Sequence, residues 1–175
     1  MENYYMAGKR NRLMIFRDLV ADRVFRVGSS SSPLIDANVD TGALAMKGSS
    51  LQVTQSPFGA QAGIHVLEEE VTLSGATTNS TIQIPNSAIV FNCSCRVTEL
   101  IAGATSFSLG EAGNTTRFGG SIGIAAGTTN VGVIGPTAFY ADTPMLFTAI
   151  GGAVNFSAGK VRIALSYYIA TVPTS

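Results

Sequence analysis

One histidine, two cysteines two positions apart and a few isolated acids are the side chains of this 175-residue chain that could act on a substrate. His65 would have to serve any histidine-centred triad, yet no Gly-x-Ser-x-Gly elbow presents a nucleophile to it. It reads as a polar residue on an edge strand. In Cys93-Ser94-Cys95 an extended backbone aims both thiols at the same face, a geometry poorly suited to bridging them. No histidine or second cysteine pair accompanies them, so they read as reduced core residues and no metal site is expected. Glu99, Glu111 and Asp142 are isolated acids, and glycoside cleavage needs two carboxyl groups flanking one bond. No spacing selects a pair, and Glu68-Glu69-Glu70 reads as a solvated strand end. The glycine-rich run from Gly119 to Gly127 lacks the Lys-Ser/Thr of a phosphate loop and the dinucleotide spacing. Tight turns and close strand packing account for it. No catalytic residue and no cofactor is therefore assigned.

Carbohydrate binding without cleavage asks for less: exposed aromatic faces, with hydroxyl, amide and guanidinium groups in loops. Phe107, Arg117, Phe118 and Tyr140 are the candidate ligand residues, with Phe139, Asn114, Thr115 and Thr116 beside them. Each of these rings suits a core as well as a surface.

The elements that must position these residues are constrained by composition. Charged residues are only 13% of the chain, with 11 basic against 11 acidic, while hydrophobic residues reach 46%. With no net charge there is no overall attraction to nucleic acid or to an acidic membrane. Serine and threonine number 17 each and glycine 19, which disfavours a helix bundle or a disordered tail. A surface so poor in charge tends to associate, so the composition indicates an all-β, oligomeric structural or binding protein.

Charge is also unevenly placed. Residues 1–28 hold six basic side chains against three acidic ones, whereas residues 60–175 hold four against six. The boundary is expected near Ser56-Pro57-Phe58-Gly59, giving an attachment segment at 1–58 and a head domain at 59–175. In the first segment Arg10, Arg12, Phe16, Arg17, Arg23 and Arg26 are the candidate docking residues. Leu13, Phe16, Val20, Val24 and Val27 lie near one helical face, but Val24-Phe25-Arg26-Val27 also reads as extended chain. Helix and strand both stay open over 11–27. Beyond it, Leu34 to Val39 and Ala43 to Met46 flank Asp40-Thr41-Gly42 as a short hairpin. The four-residue apolar stretch Leu13 to Phe16 is too short for a secretory signal, and no segment has bilayer-spanning composition.

From Gly63 onward strands dominate. Phe91, Cys93, Cys95 and Val97 alternate with polar residues, as do Val161, Ile163, Leu165, Tyr167 and Ile169. Such alternation puts one face of each strand in a core. Shorter strands are expected at 64–73, 81–84, 105–109, 121–125, 131–134 and 145–150, separated by Gly, Pro and Asn turns. About eight short strands fit an antiparallel β-sandwich of jelly-roll type. The charge-free run Phe118 to Ala141 would leave a monomer with a poorly solvated surface. Sister subunits would cover it, and a cyclic trimer is expected by analogy with viral β-sandwich fibres.

The text Arg117-Phe118-Gly119-Gly120-Ser121-Ile122-Gly123-Ile124-Ala125-Ala126-Gly127-Thr128-Thr129-Asn130, with Gly132-Val133-Ile134-Gly135-Pro136-Thr137-Ala138-Phe139-Tyr140, carries a resemblance. So do Ala88-Ile89-Val90, Arg96-Val97-Thr98, and Gly103-Ala104-Thr105-Ser106-Phe107 followed by Gly110. Over roughly residues 63–170 the chain resembles the β-rich C-terminal end domain of phage, prophage and gene-transfer-agent fibre proteins from alphaproteobacteria. That resemblance implies a virion structural protein: a trimeric tail fibre or spike that binds other virion proteins of the tail or capsid and touches host-surface polysaccharide. A capsid decoration protein is the alternative, and a glycan depolymerase ranks below both. The long shaft usual in such fibres does not precede the domain here. The family brings no catalytic or binding residues to carry over. No nucleic-acid partner and no membrane insertion are implied.

Overall fold

The inward-facing apolar residues that alternate along residues 89–102 and 158–170 settle onto one side of a single sheet. The structure, a computed structural model, describes residues 24–29, 32–38, 43–46 and 50–174, with side chains for Leu51 and from Gln55 onward. Two units are separated between Lys47 and Gly48. In the first, β1 (Val24–Ser29), β2 (Ser32–Asn38) and β3 (Ala43–Met46) form an antiparallel sheet in that order. The expected hairpin is present, with Asn38 paired to Ala43. Residues 24–27, where the sequence leaves helix and strand open, are extended.

The second unit is all-β. Its strands are β4 (Ser50–Gln55), β5 (Gln61–Thr72), β6 (Thr77–Ile84), β7 (Ile89–Ala102), β8 (Ser106–Glu111) and β9 (Asn114–Ile122). They are followed by β10 (Thr129–Asn130), β11 (Val133–Ala138), β12 (Thr143–Ile150) and β13 (Ala158–Ala170). One sheet runs β10-β7-β13-β5-β4 with β11 also on β7; the other runs β6-β12-β8-β9. Every pairing is antiparallel. From β5 onward the chain passes repeatedly from one sheet to the other, as a sandwich of Greek-key character requires. Among the described residues no helix is long and apolar enough to cross a membrane.

Between the sheets lie Val90, Cys93, Cys95, Val97, Val161, Ile163 and Leu165 from one side, and Phe107, Leu109, Met145 and Phe147 from the other, all buried. Phe107 and Phe147 meet in a tilted ring contact at 6.2 Å, the offset geometry that ring quadrupoles favour. The sheets are also joined by a polar clasp. Glu69 pairs across β5 with the inward Ile163. Its carboxylate accepts from the backbone N–H of Thr81 (2.9 Å) and of Ile82 (2.9 Å), and from the Thr81 hydroxyl at 3.0 Å. Nearby, the pairing of β12 with β6 is irregular between Pro144 and Leu146. The Met145 N–H there donates to the buried Ser80 hydroxyl at 2.9 Å, and Ser80 donates onward to Ile82 O at 2.6 Å. No orphan amide is left at the irregularity.

Four expectations are corrected. The boundary lies at 47/48, not 58/59, because β4 is hydrogen-bonded along β5 and so belongs to the sandwich. His65 is not on an edge, since β5 has β4 on one side and β13 on the other; its ring stacks on Tyr167 at 5.3 Å. The strand expected at 121–125 instead ends at Ile122, as β9 begins earlier and runs through Arg117-Phe118-Gly119-Gly120. A Cβ on Gly119 would sit 2.8 Å from both the Asn130 amide nitrogen and Ile122 Cδ1, so the missing side chain is what permits this packing. Phe91 points out of the core: two residues of β7, Phe91 and Asn92, stand where β13 has one, and this bulge turns Phe91 outward.

Replacing Glu69 by alanine leaves two backbone donors at the sandwich rim without their acceptor. A loss of about 1–3 kcal/mol in urea unfolding is expected, with Glu69→Gln losing less because it keeps one acceptor oxygen. An unchanged midpoint for Glu69→Ala would contradict the clasp.

Candidate functional site

The four residues proposed as a ligand surface separate into two kinds. Phe107 on β8 and Phe118 on β9 are buried; they fill the layer between the sheets, so neither ring has a face to offer. This removes them from a stacking surface. Arg117 and Tyr140 remain on the outside, at one end of the sandwich.

Arg117 is held rather than free. The β8–β9 hairpin pairs Glu111 with Asn114 across Ala112-Gly113, and three residues further on Arg117 turns back over it. Nε and Nη2 of Arg117 both donate to Glu111 Oε1, at 3.0 and 2.9 Å. The Gly113 N–H donates to the other carboxylate oxygen, Oε2. Glu111 is only 6% exposed, and a carboxylate so buried needs both a cation and hydrogen bonds. The guanidinium lies 5.7 Å from the centre of the Phe139 ring, within range of a cation–π contact. Asn114 accepts from the Thr116 amide and hydroxyl, at 3.2 and 3.1 Å, which fixes the turn below it. The next residue after Phe139 is Tyr140, 83% exposed. The site therefore consists of an ordered polar hairpin, a covered cation and one fully presented phenol ring.

The other acids are likewise engaged. Glu99 pairs with Lys160 at 3.0 Å, and that contact, chiefly its hydrogen bond, raises the pKa of the exposed ammonium. Asp142 accepts from the Asn86 N–H at 2.8 Å. Glu99, Glu111 and Asp142 thus each hold a separate structural partner instead of facing one another. The Glu68-Glu69-Glu70 run is not simply a solvated end: Glu69 is the inter-sheet clasp and Glu70 pairs with Arg162 at 3.1 Å. Cys93 and Cys95 are free and buried. Burial, and to a lesser degree its neighbour Cys95, pushes the Cys93 thiol up to about 12. Burial lifts Cys95 to about 11. Both are protonated at neutral pH, the inert form of the side chain. Among the described residues no three His, Cys, Asp or Glu side chains converge as a metal site.

Arg10, Arg12, Phe16, Arg17 and Arg23 lie outside the described residues, and Arg26 is described only as a backbone position on β1. Sequence reasoning passed over a second surface. An open groove of about 290 Å³ runs along the outer face of the six-stranded sheet. Glu68, Ser94, Arg96, Arg162 and Ala164 line it, and Val131 stands at its rim. Cross-strand neighbours far apart in the chain compose it, and only the strand register could have revealed it.

Arg117→Ala uncovers a buried carboxylate, so we expect a stability loss of about 2 kcal/mol after allowing for the partial exposure of the arginine. Tyr140→Ala should change stability by less than about 0.5 kcal/mol. Thermal and urea unfolding of both variants separates the two roles; equal losses would contradict the assignment.

No family model matches the chain, and no curated protein matches it. Among solved structures it is similar to a chain of the cyanophage Pam1 capsid asymmetric unit, at 19% identity and a TM-score of 0.46. That alignment covers 68% of this chain and 92% of the other.

Proposed function

We propose that the chain is a structural protein of a bacteriophage virion, a fibre or spike whose N-terminal unit docks on the particle and whose β-sandwich is displayed toward the host. The division between Lys47 and Gly48 carries this reading. It separates a basic N-terminal unit from a sandwich with more acids than bases, which suits one part for attachment and the other for display. The likeness of residues 63–170 to phage and gene-transfer-agent fibre end domains supports the same role.

Host-surface polysaccharide is the proposed ligand of the displayed part. Tyr140 offers an aromatic face of the kind sugars stack on, with the hydroxyls of Thr115 and Thr116 on the neighbouring hairpin. The role is binding without cleavage, because each acid weighed as a glycosidase pair is tied to its own partner.

Removing residues 1–47 from the phage-encoded protein should abolish its incorporation into particles. Incorporation of the shortened chain at the normal level would overturn the docking assignment. Copy number in purified virions tests the rest. Copies at the level of tail appendages or vertices support a fibre or spike, whereas copies at the level of the capsid lattice would replace it with a decoration protein.

A further inference from the structure

Two arginines stand directly opposite each other on the outer face of the six-stranded sheet. Arg162 of β13 pairs with Arg96 of β7, and the same row continues to Thr129 on β10 and to Glu70 on β5. Like charges directly across a sheet repel. Only one of the two is compensated: Arg162 donates to Glu70 at 3.1 Å. Arg96 is exposed and makes no ion pair or side-chain hydrogen bond among the described residues. Its guanidinium keeps the whole fork of donors that matches a carboxylate.

The next row of the same face forms the floor of the open groove. Ser94, Ala164 and Glu68 pair across β7, β13 and β5. The groove lies over Ser94 and Ala164, whose side chains are small, and Arg96, Arg162, Thr129 and Val131 border it. Val131 is 63% exposed. Glu68 lines the groove on β5; it is exposed and likewise has no ion pair or side-chain hydrogen bond among the described residues. Arg96 and Glu68 are two strand spacings across and two residues along from each other, roughly 12 Å between Cα atoms. The groove therefore has a cationic end at the paired arginines and an anionic end at Glu68.

This pattern selects among ligands. A uniform polyanion would meet Glu68 as well as the arginines and be repelled at that end. A neutral glycan would leave the arginine fork unused. A chain with a carboxylate on one sugar and only uncharged groups on the next satisfies both ends. Its carboxylate accepts from Arg96 and Arg162, and the hydroxyls of the neutral sugar donate to the Glu68 carboxylate. The span between the ends suits two linked pyranose rings. Their C–H faces rest on Ala164 and Val131, and Thr129 offers a hydroxyl beside the acid group.

We infer that this groove binds an acidic polysaccharide in which a carboxylate-bearing sugar alternates with a neutral one, with Arg96 and Arg162 on the carboxylate and Glu68 on the hydroxyls of the neutral sugar. The inference rests on the polysaccharide reading given above and adds the charge of the ligand and its seat. Neither Tyr140 nor Arg117 lines this groove, so the two surfaces are tested apart.

Nuclear magnetic resonance titration of the isotope-labelled full chain tests it, with three probes: a hyaluronan tetrasaccharide, its neutral counterpart chitotetraose, and tetragalacturonate, which is acidic on every sugar. The hyaluronan tetrasaccharide should bind most tightly and shift the signals of Ser94, Arg96, Thr129 and Ala164. Arg96→Gln should weaken that binding about tenfold or more at low salt. Glu68→Gln removes the repulsion at the far end, so it should raise the affinity for tetragalacturonate toward that for hyaluronan. Circular dichroism confirms that each variant is folded. No shift at Ser94, Arg96 and Ala164, equal affinity for chitotetraose, or displacement of the sugar by inorganic phosphate at equal concentration would overturn the inference. Neutral glycan bound at Tyr140 beside a silent groove would overturn it too, while leaving the polysaccharide reading in place. A groove that binds the hyaluronan tetrasaccharide in a protein that never enters particles keeps the inference and removes the virion setting instead.

Discussion

Beyond residue 60 the chain has six acidic and four basic side chains with which to keep a β-sandwich soluble and in register. The placement of those few charges decides which surfaces the domain presents. The four-stranded sheet holds only Glu111 and Arg117, and these face each other as one largely covered pair. Its outer surface is wetted instead by the hydroxyls and amides of residues such as Thr77, Asn79 and Thr81. Apart from the clasp Glu69 and the loop residue Asp142, the remaining charges stand together on the outer face of the six-stranded sheet. Scarcity of charge thus produces two unlike surfaces on one domain.

The fold was legible where one face of a strand is buried along its whole length. Val161 to Ile169 reads without error because β13 is central, flanked by β5 and β7, and its inner side chains have only the core to occupy. β7 reads correctly at Cys93, Cys95 and Val97 and fails at Phe91, since a bulge adds one residue that no local pattern announces. β9 was hidden for a different reason. Gly119 and Gly120 are turn formers by propensity, yet Gly119 lies in a strand because Asn130 and Ile122 occupy the space a side chain would need. Close tertiary approach overrode local preference.

The candidate site was legible only in part. Tyr140 is exposed because it falls in the short loop 139–142 between β11 and β12, outside both sheets, whereas Phe107 and Phe118 were drawn inward with their strands. Arg117 was identified by its chemistry but not by its role, since the sequence does not reveal that the hairpin folds Glu111 beneath it. The outer-face residues Arg96, Glu68 and Phe91 come from two strands, with Phe91 at the bulge of β7. Nothing short of the register assembles them.

Hydroxyl-radical labelling of the full chain, read by mass spectrometry, addresses the placement of these surfaces directly. Tyr140 and Phe91 should be labelled in the folded chain, while Phe107, Phe118 and Phe147 stay protected until urea opens the sandwich. Protection of Tyr140 in the folded chain, or labelling of Phe107 and Phe147 before unfolding, would contradict the account.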